Sequence, residues 1–311
     1  RDWSVTGVQT CALPISSDAI GLLTVVLLAG CQQYPEVPLD PSVPSRSVTH
    51  VMGTTEVPVD PQRVVVLDIT PLDAAIALGI EPIGTISYSR APDYLGDKAS
   101  GLEIVGLFNQ PSLEKILSLK PDLILGVRSV SEGLYPKLSR IAPTVFIDGF
   151  GSNWDWQNNF RIYADALNQS EQAEELLADY QQQVETLKAS LTPSPESLTT
   201  SVVLDGRFGF IAHTSTSFSG AILQELGFKR NSAQSDKSQS FIGISREDLD
   251  SPDGDVLFLI HYPNTTTKEE FVSDRLWSKL NAVQQNAVCE VRGETWAAGR
   301  SILAANEVLK D

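Results

Sequence analysis

The sequence predicts an α/β protein of two Rossmann-like lobes joined by one long α-helix, with a ligand cleft between the lobes. Three observations carry that expectation. Short apolar runs rich in β-branched residues alternate with helical periodicity, as in a parallel sheet covered by helices. One amphipathic stretch near the middle is far longer than the others, and the strand–helix alternation restarts after it. Finally, a chain of 311 residues exceeds what one compact core usually serves, which favours two units.

The N-terminal residues stand apart from that pattern. Val5–Ile15 reads VTGVQTCALPI and resembles the translation of a common sequencing adapter. Residues 1–16, Cys11 included, are therefore set aside from fold reasoning as an assembly artefact. Residues 17–31 read as the remnant of a lipoprotein signal. The apolar run Ala19–Gly30 would span about 18 Å as a helix, too short for a bilayer core of about 30 Å. Leu28-Ala29-Gly30-Cys31 resembles a bacterial lipobox, which makes Cys31 the expected lipidation site. Residues 32–46, with Pro35, Pro38, Pro41 and Pro44, read as an extended tether.

The first lobe is expected over 47–165. Arg63–Leu67 is wholly apolar after its arginine, the mark of a buried parallel strand. Thr70-Pro71-Leu72-Asp73 then supplies a cap residue, proline at the first helical position and an acid at the third, for a helix ending at Gly79. Further strands are expected at Pro82–Ile86, Leu123–Leu125 and Thr144–Ile147. The joining helix is expected within 166–192, opened by Asn168 with Glu171 as its capping-box partner. Ala173, Leu176, Leu177, Tyr180, Val184, Leu187 and Leu191 keep three- and four-residue spacing along it.

The second lobe is expected over 193–311, with apolar segments at Ser201–Leu204, Ile222–Leu226, Val256–Ile260 and Ala287–Val291. The two halves share a phrase: Ser112, Glu114 and Asp122 recur at the same offsets as Ser245, Glu247 and Asp255. That repetition predicts a pseudo-symmetric molecule. The final helix reads as ending early at Asp311.

A formal charge of −16 argues against nucleic acid as a partner, because phosphate binding needs the opposite sign. Outside the artefact and Cys31 the one cysteine is Cys289, in an alternating strand-like stretch, where it reads as a small buried hydrophobe. The enzyme signatures Gly-x-Ser-x-Gly, the P-loop and G-x-G-x-x-G are all missing. Asp68 and Asp148 follow strands and could do acid–base work, but isolated acids at strand ends are common in any α/β protein.

Longer phrases narrow the assignment. VTHVMGTTEVP at Val48, PQRVVVLD at Pro61, SLEKILSLKPDLILG at Ser112, FSGAILQELGF at Phe218 and WAAGRSILAANEVL at Trp296 cover nearly the whole chain in order. On these, Val48 to Lys310 resembles the periplasmic iron–siderophore binding proteins, the class whose lobes are joined by a rigid interdomain helix. The resemblance implies a solute-binding lipoprotein of an ABC importer, monomeric, periplasmic or otherwise extracytoplasmic, and lipid-anchored. It implies a ferric siderophore as cargo, no resident cofactor, and a membrane permease as partner. It further implies one permease-docking glutamate per lobe, Glu114 and Glu247. Both also follow a serine cap, where an acid favours the helix dipole by about 0.3–1 kcal/mol without any partner.

Cargo contacts are expected after strand ends, where α/β ligand sites collect, with arginine for charge and aromatics for the organic scaffold. The candidates are Tyr88, Arg90 and Tyr94, then Arg128, then Trp154 and Trp156, in the first lobe. In the second they are Arg207, His261, Tyr262, Trp296 and Arg300, with Arg90 and Arg207 foremost. A zinc or manganese site is disfavoured, since only His50, His213 and His261 are available. Haem or cobalamin remains an alternative cargo, with His261 or Tyr262 serving haem. An α/β enzyme is the rival from another class. With one stiff helix between the lobes, only modest closure is expected.

Overall fold

The computed structural model describes residues 40–87, 92–149, 155–206, 209–235, 237–248, 253–262 and 275–311. Cys31 and most of the expected tether lie outside them. A hairpin comes first, β1 (Ser45–His50) against β2 (Gly53–Pro58). The sequence pattern names no strand there. The first sheet is then built from β3 (Val64–Val66), β4 (Gly84–Ser87), β5 (Glu103–Leu107), β6 (Gln110–Pro111), β7 (Leu123–Val127) and β8 (Thr144–Ile147). Its order is β6-β5-β4-β3-β7-β8. All neighbours are parallel except β6, which closes the edge as an antiparallel hairpin with β5.

Val64, Val65 and Val66 are at most 1% exposed, because helices and loops cover both faces of the sheet. Burying each such side chain stabilises the fold by roughly 1.5–3 kcal/mol at most. The helices here are α1 (Ile69–Ala77), α2 (Leu113–Leu119), the short turns α3 (Arg128–Ser131) and α4 (Tyr135–Leu138), and α5 (Trp156–Ala166).

The joining helix α6 runs Ser170–Ser190, 21 residues, about 32 Å at ~1.5 Å per residue. Glu171 in its first turn and Lys188 in its last match its macrodipole. Ala173, Leu177, Tyr180 and Val184 form its buried face. Asn168 does not open it. With φ of 56°, Asn168 is the left-handed residue that terminates α5, and the Gln169 amide donates back to Ala164.

The second sheet has the order β12-β10-β9-β13-β14, with β11 also on β9. Its strands are β9 (Thr199–Gly206), β10 (Gly209–His213), β11 (Lys229–Arg230), β12 (Phe241–Ile244), β13 (Val256–His261) and β14 (Val288–Arg292). β9, β11, β13 and β14 are parallel, whereas β10 runs antiparallel to its neighbours. Between them lie α7 (Phe218–Glu225), α8 (Asn281–Gln284) and the final α9 (Ile302–Val308). Ile222–Leu226 thus belongs to a helix and its cap.

Each sheet keeps a private core on one face. The first is Val65, Leu67, Ile124 and Phe146 with their neighbours, and the second is Val203, Leu257, Leu259 and Trp277 with theirs. Their other faces share one central core, in which α1, α5, α6, α7 and α9 meet. The expected pseudo-symmetry is visible at the strand entrances. Asp122 accepts from the Gln62 and Arg63 amides at 2.8 and 2.9 Å, tying the start of β7 to that of β3. Asp255 does the same for β13 and β9, accepting from the Thr199 amide at 2.8 Å.

Candidate functional site

In the first sheet the strand order reverses at β3, whose neighbours are β4 and β7. In parallel sheets ligands collect in the crevice outside such a switch point, at the carboxyl ends of the strands. Asp68 follows β3 there, and Arg128 follows β7. In the second sheet the central strand is β9, beside β13, and His261 and Tyr262 stand at the carboxyl end of β13.

The two carboxyl edges meet through the segment linking β14 to α9. Residues Glu294–Gly299 form a widened, π-helical turn, a local irregularity that recurs at functional sites. Arg300 follows with φ of 51° and is 6% exposed. Its Nη2 lies 3.2 Å from Asp68 Oδ1, its Nη1 donates to the Gly149 carbonyl at 3.5 Å, and its Nε donates to Ala298 at 3.3 Å. Asp68 simultaneously caps α1 by accepting from the Thr70 amide at 2.9 Å.

That cap corrects the sequence reading, which put Thr70 at the cap and Asp73 in the first turn. Asp73 is instead fully buried and reaches α9, accepting from the Leu303 and Ala304 amides at 3.0 and 2.9 Å. Burial pushes its carboxyl up to about 7, against the pull of those donors and of the Tyr94 and Ser301 hydroxyls. Tyr94, a predicted cargo contact, is therefore placed beside Asp73. A side chain at Gly299 would strike its hydroxyl at 2.7 Å.

The remaining candidates fall into different settings. Arg128 pairs with Asp148 at 2.8 Å, both side chains over a third exposed, at the ends of adjacent strands. His261 donates from Nδ1 to the Val291 carbonyl at 3.0 Å. Tyr262 packs its ring where a Gly293 side chain would be, and burial pushes its hydroxyl up to about 12. Trp296 is 1% exposed, stacks on Phe258 at 4.8 Å and donates its indole N–H to Asp311 at 3.0 Å. Trp156 is 2% exposed and packs edge-on against Tyr180 and Phe218, an interior role. Tyr88, Arg90, Trp154 and Arg207 lie outside the described residues.

A crevice beside Arg300 adds residues the sequence reading did not single out. His213, Ser217, Phe218, Ser240 and Phe241 line it together with Trp296, Ala297 and Arg300. Its side chains close on one another and leave little room between them. His213 is buried and bonds Ser219 through Nδ1 at 2.9 Å. Burial holds its ring down at about 3, which keeps it neutral. No spacing pattern marks these residues in the sequence, since they come from β10, the loop after it, the first residue of α7, and β12 with the residue before it.

A half-buried carboxylate joins the helices. Glu225 of α7 accepts from Tyr180 Oη of α6 at 2.7 Å and from Gln157 of α5 at 3.5 Å, and burial raises its pKa.

Glu114 and Glu247 are both exposed. Glu114 is the second residue of α2, whose cap Ser112 accepts from the Lys115 amide. Glu247 sits in a single 3₁₀ turn, Arg246–Asp248, after Ser245. The serine-then-acid phrase therefore opens a helix in one half and only a turn in the other. Cys289 pairs within β14 and is exposed rather than buried, which corrects its expected core role. Among the described residues no group of His, Cys, Asp and Glu has metal-site geometry.

A model of the periplasmic binding protein family matches residues 64–295. The chain belongs to that family. It is 36% identical to a Bacillus subtilis protein named "Probable siderophore-binding lipoprotein YfiY", across 96% of each chain. It is 30% identical to the Fe(3+) dicitrate-binding periplasmic protein FecB of Escherichia coli, covering 83% of this chain and 86% of that one. The crystal structure of Staphylococcus aureus SirA complexed with staphyloferrin B superposes with a TM-score of 0.77 at 29% identity, over 86% of this chain and 96% of SirA. The enzyme reading falls away with the family assignment.

Proposed function

We propose that this protein captures a ferric siderophore between its two sheets and hands it to the permease of an ABC importer. The observation that carries the reading is the convergence of both carboxyl edges on Arg300 and Asp68, in a family member whose full-length relatives are named for siderophore and ferric citrate binding. Arg128 and Arg300 supply guanidinium groups suited to carboxylate or catecholate oxygens. Each is now held by an aspartate, Asp148 or Asp68, which an anionic cargo would have to rival. With Tyr94, His261, Tyr262, Arg90 and Arg207 they make up the proposed cargo surface, and Trp296 supports it from behind. Residues 47–165, 166–192 and 193–311 serve as first lobe, joining helix and second lobe.

Glu114 and Glu247 are the proposed permease contacts, two exposed carboxylates able to pair with arginines. Lipidation at Cys31 would keep the protein beside its permease on the outer side of the cell membrane. Tryptophan-fluorescence titration against ferric hydroxamate, catecholate and citrate-type siderophores, haem and cobalamin tests the cargo. Quenching by at least one ferric siderophore is expected, and saturation by haem or cobalamin alone overturns the reading.

A further inference from the structure

The first turn of α9 is capped from a distant part of the chain. Ser301 occupies its cap position, and serine is among the best residues for that task, yet its side chain makes no capping bond. The Leu303 and Ala304 amides turn to the two oxygens of Asp73 instead. Asp73 belongs to α1, which follows the central strand of the first sheet, whereas α9 follows the last strand of the second. The substitution is costly, because desolvation of the Asp73 carboxyl outweighs the donors around it. A cap available locally has been replaced by an expensive one that ties two halves together.

The tie has a consequence for the segment just before α9. Glu294–Arg300 leaves β14, carries Trp296 and Arg300, and ends one residue before Ser301. Its near end is fixed by β14 and its far end by the α9 cap. Tyr94, lying against Gly299 and Asp73, encloses the same corner. We propose that Asp73 is a positioning residue of the cargo site: by capping α9 it holds Glu294–Arg300, and so Arg300, against the carboxyl edge of the first sheet. The inference rests on the cargo reading above.

The test compares wild type with Asp73→Ala and Asp73→Asn in the full chain. Amide exchange at Leu303 and Ala304 is measured alongside affinity for ferric citrate, a ferric hydroxamate and a ferric catecholate. In Asp73→Ala, Ser301 is free to cap α9, so the helix persists while its tie is lost. Expected are exchange at least tenfold faster at whichever of the two amides Ser301 leaves uncapped, and an affinity at least tenfold weaker for whichever probe the wild type binds. Asp73→Asn keeps one acceptor oxygen and should weaken affinity about two- to threefold. Faster exchange with unchanged affinity overturns the positioning role, and unchanged exchange overturns the tie itself. If Asp73→Ala does not fold, Asp73→Asn decides: faster exchange with a measurable loss of affinity supports the role, and full affinity refutes it. A wild type that binds none of the probes sinks the cargo reading, while the exchange data still judge the tie.

Discussion

Arg300 and Asp68 form a buried ion pair between the carboxyl edges of the two sheets, Nη2 to Oδ1 3.2 Å, with side chains 7% and 1% exposed. Asp68 has a second task, capping α1. One carboxylate thus fixes the helix that follows the central strand of the first sheet and the arginine that ends the irregular turn of the second.

Removing one member of such a pair strands the other charge in a low-dielectric setting, at a cost of roughly 3–5 kcal/mol. Arg300→Met should lower the unfolding free energy by about that much in urea denaturation. Combining it with Asp68→Asn, which retains an acceptor for the Thr70 amide, should recover part of the loss. A double variant less stable than Arg300→Met alone would contradict the pairing.

Asp122 and Asp255 make matched contacts at the entrances of the two sheets. Asp122→Ala and Asp255→Ala should each destabilise by about 1–3 kcal/mol, the cost of orphaned backbone amides. Thermal denaturation of both variants checks the symmetry. A loss confined to one of them would show that the repeated phrase has diverged in role.

Two buried histidines set the acid limb of stability. Burial lowers His50 to about 4 and His213 to about 3, from an ordinary 6.5. The unfolded chain takes up protons below about 6.5 that the folded one refuses, so this stability is present above 6.5 and falls as the pH drops toward 4 and 3. The slope is at most about 1.4 kcal/mol per pH unit for each. Asp73, raised to about 7, works the other way by holding a proton in the folded chain; between about pH 7.5 and 4.5 in urea denaturation, His213→Asn should therefore lose less stability than wild type. An equal slope in that variant would place the titration elsewhere.

Much of this was legible in the sequence, for identifiable reasons. The β-branched runs at Val64, Leu123 and Thr144 became buried parallel strands, and Ser112 capped α2, because local chemistry and tertiary environment agree there. Thr70-Pro71 misled, since proline is tolerated anywhere in a first helical turn, where no N–H bond is lost. The true cap was the aspartate two residues earlier. Asn168 misled in the same way, because a left-handed residue ending one helix lies beside the start of the next. β10 and β12 went unseen, being short, glycine-bearing and antiparallel. The link from Asp73 to Leu303 spans 230 residues, and no local pattern encodes it.

The exposed glutamates separate docking from cargo binding. Glu114→Ala with Glu247→Ala should leave siderophore affinity within about twofold and cost no more than about 1 kcal/mol of stability through the lost dipole interaction. Uptake into cells relying on this protein should fall at least tenfold. Unchanged uptake would refute the docking assignment.

The central claim is that the converging carboxyl edges hold an iron-loaded siderophore. Calorimetric titration with the same siderophore, with and without bound Fe(III), tests it most directly. The account predicts one-to-one binding of at least one ferric siderophore with a dissociation constant below about 1 µM, weakened at least tenfold by Arg300→Met. Failure of every ferric siderophore to bind, or an affinity indifferent to both iron and Arg300, would contradict it.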